Sequence, residues 1–374
     1  MPKLVVLKDT IFKISPEQSD QLTSSQKVSI AKGQSLDIIS AELKKGHFFV
    51  RLTSSISPVG NSGYFFAGHV QVDDITNLDV PSKLVRTSKE GSKWFAEIDF
   101  GEKFFVGKRV FYRDGGFYGL NNLDAIAGKY IPDDYKSKYG FWANFIYPTA
   151  CAESFGGSFT CLNTYDRARF TFGFMQYAAH VPSGDFVKFF CELLKTPLGS
   201  GYFSDLEVDA QNNIFKITNE GLKPLANAQT TIPLLNYLNP SLADVEEIEV
   251  IQSAKFIHWA IHSQQHRDIQ VDCAIKNFKD AMQTYAKWYP LDGLPDKVCL
   301  IVADIHHQGR AKKAVVKEAL NTDGNHQSAF NNLIKIGENS YSERIKTLKN
   351  EIKKLESSGS LGRLFYSKQL SDFV

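Results

Sequence analysis

The densest cluster of chemically capable residues lies in CAESFGGSFTCLNTYDRARFTFGFMQYAAH, residues 151–180. Glu153 stands just ahead of Gly156-Gly157, a pair that would end a helix and open room beside its carboxyl. Asn163, Thr164 and Asp166 follow in NTYDRARF, and RFTFGFMQY alternates like a strand before ending at Gln176. Cleaving a glycosidic bond needs this kind of set. A protonated carboxyl donates to the leaving oxygen, and a second polar group on the opposite face of the sugar holds water or stabilises the cation. Phe141, Trp142, Phe145, Tyr147 and Phe155 flank Glu153, and Phe170, Phe172 and Phe174 lie on the returning segment. Burial among such rings disfavours a carboxylate, so an apolar wall is the expected means of keeping Glu153 protonated. Asp166, or water positioned by Thr164, would complete the chemistry. The bland alternative is a plain helix-end Glu beside a core strand.

AES at 152–154, followed by GFMQ at 173–176, resembles the lysozyme superfamily, especially the goose-type lysozymes, lytic transglycosylases and chitosanases. The resemblance covers roughly residues 140–360, and its motif-specific part is 153–176. It implies a helix ending in a catalytic Glu and Ser, then a small β element, then a segment lining the sugar groove. Glu153 matches the general acid and Ser154 the serine beside it. Gly173, Met175 and Gln176 match the groove segment, with Phe174 in place of the usual Leu. Asp166 falls in the β element, where relatives place a second carboxylate. Asn163, Tyr177 and His307 join the expected sugar contacts. IVADIHHQGR and YSERIKTLKNEI look like the buried and closing helices of the chitosanase and phage-lysozyme branches. Two departures stand out: Pro148 requires the Glu helix to start there or kink, and DIHHQG replaces the tyrosine-asparagine pair of the goose-type distal helix.

The elements that must position this set are of two kinds. Residues 1–75 read as short β runs, with KVSIAKGQSLDI as two strands about a turn at Lys32-Gly33. They resemble the SH3-like barrels of cell-wall hydrolases, in which His47, Tyr64, Phe65, Phe66 and His69 would face a ligand, or the phenylalanines would simply fill the barrel. Residues 76–139 read as a connector with extended pieces and a turn near Asp114-Gly115-Gly116. From 140 the period is helical. SGDFVKFFCELLK has Ser183 as N-cap and Phe186, Phe189, Phe190, Leu193 and Leu194 on one face. Long helices are expected in PSLADVEEIEVIQSAKFIHWAIHSQQH, DCAIKNFKDAMQTYAKW and DKVCLIVADIHHQGRAKKAVVKEAL. In YSERIKTLKNEIKKLE, Tyr341, Ile345, Leu348, Ile352 and Leu355 form an apolar stripe. The expected fold is multidomain α+β: a small SH3-like β-barrel, then a mainly helical lysozyme-like domain over 140–374 with a small β element.

Other chemistries have little support. A net charge of +2 over 374 residues makes no electrostatic case for nucleic acid or an anionic membrane. GxxxxGK[ST], GxGxxG in a βαβ setting and GxSxG do not occur. The five cysteines contain no CxxC pair, so free thiols are the simpler reading, with a Cys151–Cys161 bridge as the alternative. His258, His262 and His266 recur every fourth residue and could share a zinc ion on one helical face, but no companion acid accompanies them; no metal or cofactor is expected. The apolar run Leu4–Leu7 is too short for a signal-peptide core. The expectation is a chain made in the cytosol, not inserted in a membrane, that reaches a cell wall after phage-type release or through an injection system. Its partners would be peptidoglycan or a related amino-sugar polymer, and a delivery machinery or immunity protein. The rivals are a chitosanase, a chitinase, a lytic transglycosylase, and a non-catalytic wall-binding protein that keeps the fold.

Overall fold

The computed structural model describes residues 3–44, 46–73, 82–113 and 115–374. The chain divides into two compact units, one of residues 1–83 with 194–207, the other of residues 84–193 with 208–374. The expected boundary near residue 75, and Asp114 of the expected turn, lie outside the described residues.

In the first unit, strands β1 (Lys3–Val6), β2 (Thr10–Lys13), β3 (Lys27–Ile30), β4 (Ser35–Lys44), β5 (His47–Ile56), β6 (Gly60–Phe66) and β7 (Val70–Asp73) pair in the order β3-β2-β6-β5-β4-β1-β7. Alternation sends Leu4, Val6, Phe12, Val50, Leu52 and Phe65 into one core. Phe12 and Phe65 stack at 4.8 Å. Gly63 permits this crossing, because a Cβ there would meet Lys13 O and the Phe12 ring at 2.7 Å. Among the described residues the expected barrel is not closed, since β3 and β7 remain as edges. The two strands read around Lys32-Gly33 do not pair with one another: β3 joins β2, and β4 joins β1 and β5. Phe65 is core, whereas Phe66 is exposed with its ring edge-on to His47 and His69.

The second unit is mixed α+β. Within the expected connector, 76–139, strands between Val85 and Asn122 supply the larger part of its seven-stranded sheet. Strands β8 (Val85–Glu90), β9 (Lys93–Ile98), β10 (Phe104–Tyr112) and β11 (Phe117–Asn122) form an antiparallel meander. Helices α1 (Pro132–Tyr139), α2 (Trp142–Phe145) and α3 (Tyr147–Glu153) follow. Three two-residue strands, β12 (Leu162–Asn163), β13 (Thr171–Phe172) and β14 (Tyr177–Ala178), then extend the sheet from β11. The small β element around the candidate site is therefore the end of a seven-stranded sheet.

The rest of the chain runs through α4 (Asp185–Leu194), α5 (Gly199–Tyr202), β15 (Leu206–Val208), β16 (Ile214–Thr218), β17 (Gly221–Ala226), α6 (Ile232–Leu238), α7 (Glu247–His262), α8 (Gln264–Trp288), α9 (Asp296–Gln308), α10 (Lys313–Leu320), α11 (His326–Ile334) and α12 (Ser342–Ser357), and ends in the pair β18 (Tyr366–Ser367) and β19 (Asp372–Phe373). Helix α9 is buried almost all round from Val298 to Ile305, as a sequence apolar but for Asp304 requires. Helix α3 packs on α12, and α7 lies against the meander. Phe170, Phe172, Phe186 and Phe190 surround Phe256, with ring centroids 5.0–5.7 Å away. Each such ring removed from water contributes at most about 3 kcal/mol.

Three expected helices end differently. The row through His266 breaks because Ser263 caps a new helix, its side chain accepting from His266 N at 3.1 Å. Gly309, at φ 73°, terminates α9 with a left-handed cap, so residues 296–320 are two helices. Helix α4 starts at Asp185, while Ser183 sits outside it at φ 52°. In α12 the stripe holds at Ile345, Leu348, Ile352 and Leu355, but Tyr341 is exposed.

Candidate active site

Glu153 is the last residue of α3, and Pro148 lies in that helix's first turn, where its missing N–H costs nothing. The chain leaves the helix through Ser154, then Phe155, Gly156 and Gly157, all three at positive φ (52°, 97° and 83°). This sharp exit leaves the Glu153 side chain at the edge of a cleft of about 540 Å³, lined also by Asn163, Asp166, Thr171, Gln176 and His307. Ser154 is fully buried, and its hydroxyl donates to Phe174 O at 2.7 Å and to Ala150 O at 3.1 Å. It is not a sugar contact. It ties the helix end to the segment opposite.

The surroundings of Glu153 differ from the apolar wall expected. Arg344 Nη1 lies 2.7 Å from Glu153 Oε1, and His307 Nε2 lies 3.5 Å from the same oxygen. Arg344 Nη2 reaches Asp304 Oδ1 at 2.6 Å, and Asp304 Oδ2 takes Arg310 Nη1. The result is an alternating row, Glu153–Arg344–Asp304–Arg310, running from the cleft into the base of α9. Burial would raise the Asp304 carboxyl, but Arg344 and Arg310 outweigh it and hold that group below its ordinary range. Burial works against the Arg344 charge too, and Glu153 and Asp304 outweigh it and raise that group. An unpaired charge at this depth would be costly, and the row compensates each one. Both contacts to Glu153 fall on Oε1.

The cleft is also lined by the loop between β12 and β13 and by the turn after β13. Asp166 Oδ1 accepts from Ala168 N at 2.9 Å. Burial raises the Asp166 carboxyl from its ordinary value, against lowering by the Ala168 N–H and by His180. Buried Asn239 clamps this loop by donating to Thr164 O at 3.0 Å and Arg169 O at 2.9 Å. Gln176 sits at φ 51°, and its Nε2 donates to Gly173 O at 3.0 Å and Cys161 O at 3.2 Å. Its Oε1 is thereby left to accept from Asn163 Nδ2, and Asn163 Oδ1 accepts from Asn121 Nδ2. The three amides form a ladder whose orientations fix one another. Gly173, at φ 88°, is required: a Cβ there would collide with Gln270 Oε1, which accepts from Phe174 N at 3.1 Å while Gln270 Nε2 donates to Phe159 O at 3.1 Å.

Of the residues singled out in the sequence, Glu153, Asp166, Asn163, Met175, Gln176, Tyr177 and His307 line one cleft. Thr164 does not. It is fully buried, and its hydroxyl bonds Glu249 and, at 2.6 Å, Leu120 N, so it has no water to offer a sugar; Thr171 is the threonine that lines the cleft. Phe174 points the other way, into Tyr130 and Phe159 at 4.9 and 5.4 Å, because the turn at Gly173 reverses the alternation. Missed by sequence reading were Arg344, Gln270, Asn239 and the cleft residues His180 and Asp185. Arg344 had a signal: it precedes Leu348 by four residues on the stripe of α12.

Cys151 and Cys161 are free buried thiols, pushed up by burial to about 11 and about 12, which makes them inert. His266 is buried and lowered by burial to about 3, with its Nδ1 on Gln270. Since it belongs to α8 and the other two histidines to α7, the three do not share a helical face. Among the described residues no group of three or more His, Cys, Asp or Glu is placed to hold a metal ion, and no helix is long and apolar enough to cross a membrane. Comparison with protein-family models, with curated proteins and with solved structures finds no match.

Proposed function

We propose that this chain is a glycoside hydrolase of the lysozyme type that cuts a β-linked amino-sugar polymer, with the glycan strands of peptidoglycan as first substrate. The observation carrying this reading is one cleft lined by two carboxyls in unlike settings: Glu153 at a helix end, backed by Arg344, and Asp166 in a clamped loop. Glu153 delivers a proton to the leaving oxygen while Arg344 holds its Oε1. Asp166 serves the opposite face of the sugar as base toward water, which the Thr171 hydroxyl helps to orient. Gln176 and Asn163 offer amide groups to sugar hydroxyls. The N-terminal unit, with its exposed Phe66 between His47 and His69, is read as an SH3-like wall-binding module.

The contact with Arg344 sets a fixed cation against the carboxyl assigned here as the acid. The reverse assignment, with Asp166 as acid, has the upward shift of Asp166 in its favour. Substrates with activated aryl leaving groups separate the two. They rescue loss of the acid but not of the base, so rescue of Glu153→Gln and not of Asp166→Asn upholds the assignment, and the opposite pattern inverts it.

A second substrate has a specific observation behind it. Asp166, Asp185 and Glu153 make the cleft lining acidic, which favours a strand carrying free ammonium groups, as in deacetylated chitosan. Digestion of purified sacculi and of chitosans of defined acetylation, with mass analysis of the fragments, tests both. Fragments from either polymer uphold a glycosidase and name its substrate, anhydro-sugar ends mark a transglycosylase, and release from neither contradicts the reading.

A further inference from the structure

Beside the cleft lies a second hollow of about 380 Å³, lined by Phe111, Tyr112, Asn121, Phe155, Asn163 and Tyr165 among others. We propose that it extends the glycan groove and takes further sugar rings of the strand held at the cleavage point. This inference rests on the glycosidase reading for the identity of its occupant.

Continuity is the first argument. Asn163 lines both cavities. The amide ladder runs from Asn121 in the hollow through Asn163 to Gln176 in the cleft, so one strand could stay in contact with polar groups along the whole path. Composition is the second. Phe111, Tyr112 and Phe155 are 50%, 39% and 66% exposed, an unusual concentration of large rings at one surface. The Tyr112 and Tyr165 rings lie 5.8 Å apart at 40°, giving broad faces with hydroxyl tips, which suits the flat apolar faces and polar rims of sugar rings.

The third argument is that the backbone is built to present these rings. Phe155 adopts φ 52°, a left-handed conformation disfavoured for a bulky side chain, and gains no burial from it. Lys129 Nζ, donating to Phe155 O at 3.0 Å, helps hold that turn. On the other side, a Cβ at Gly119 would come within 2.7 Å of Thr164 and Tyr165 backbone atoms. Glycine there lets the Tyr165 segment lie against β11 and brings its ring beside Tyr112. The meander from 84 to 122 thereby acquires a role, since it carries half of this groove.

The test measures binding in the full chain carrying Glu153→Gln, using acetylated and deacetylated amino-sugar trimers and octamers. Adding Tyr112→Ala is expected to weaken octamer binding roughly tenfold and leave the trimer unchanged, while Tyr112→Phe, which keeps the ring, retains octamer affinity. With Glu153 in place, Tyr112→Ala should raise KM for the octamer by a similar factor at unchanged kcat. Equal effects on trimer and octamer, or none on either, overturn the inference. If octamer binding depends on Tyr112 but wild type cuts no glycan, the groove stands and the hydrolase reading falls. If wild type cuts glycan with no Tyr112 dependence, only the groove falls. Binding of neither oligomer rejects both.

Discussion

Replacing Asp304 by Asn keeps the shape of the side chain and removes the one fully buried anion of the row behind Glu153. Arg310 and Arg344, 0% and 8% exposed, then face each other across a neutral amide. Removing one partner of a buried ion pair costs about 3–5 kcal/mol, and here one anion serves two cations, which argues for the upper part of that range. For a unit of this size each kcal/mol moves the midpoint by about 2–4 °C, so unfolding at neutral pH should fall by roughly 6–20 °C. The pH dependence has a definite sign. The folded-state pKa of Asp304 is depressed, so its contribution is present above the unfolded carboxylate value and is lost only as pH falls through the lower, folded value. The gap between variant and wild type should therefore be flat from about pH 5 upward and narrow only in stronger acid. Calorimetry of both proteins across pH measures this directly. A drop below about 2 °C at neutral pH, or a gap that closes between about pH 5 and 8, would refute the reasoning that this row is a compensated buried network.

Two further outcomes follow from single residues. Gly173→Ala places a Cβ into Gln270 Oε1 at a left-handed backbone position, and should cost about 2–4 kcal/mol together with activity; an unchanged unfolding midpoint would contradict it. Glu249 is raised by burial to about 7, against hydrogen bonds from Thr164 and Leu120 N, so the fold binds its proton more tightly than the unfolded chain does. Stability should accordingly fall by about 3 kcal/mol as pH rises from about 4.5 to 7, and Glu249→Gln should flatten that slope; a variant with the wild-type slope would show that Glu249 is not its source.

The sequence was most readable where one local signal sufficed. Pro148 and Gly156-Gly157 bracket α3 within ten residues and so put Glu153 at a helix end. The turn at Gly173 brings Met175 and Gln176 to the cleft, although Gly173 itself serves close packing and reverses Phe174 into the core. Thr164 was misjudged for a related reason: it sits two residues from Asp166 but turns inward to Glu249, an acid on α7 with no local link to it. Residues 84–122 fall within the expected connector because, although β8 to β11 pair with their sequence neighbours, the meander joins the site only through Asn121 and Asn122 pairing with Asn163 and Leu162. No run of adjacent residues encodes such a pairing. Arg344 belongs to the same class, since only the packing of α12 on α3 gives it Glu153 as a partner.

Whether Glu153 supplies the proton that breaks the glycosidic bond, as proposed, is decided by turnover set against binding for Glu153→Gln on purified sacculi and chitosan. The expected outcome is that kcat falls by a factor of about 10²–10⁴ while affinity for the glycan stays near that of wild type. Retention of wild-type turnover by this variant, on a glycan that the wild type cleaves, would contradict it.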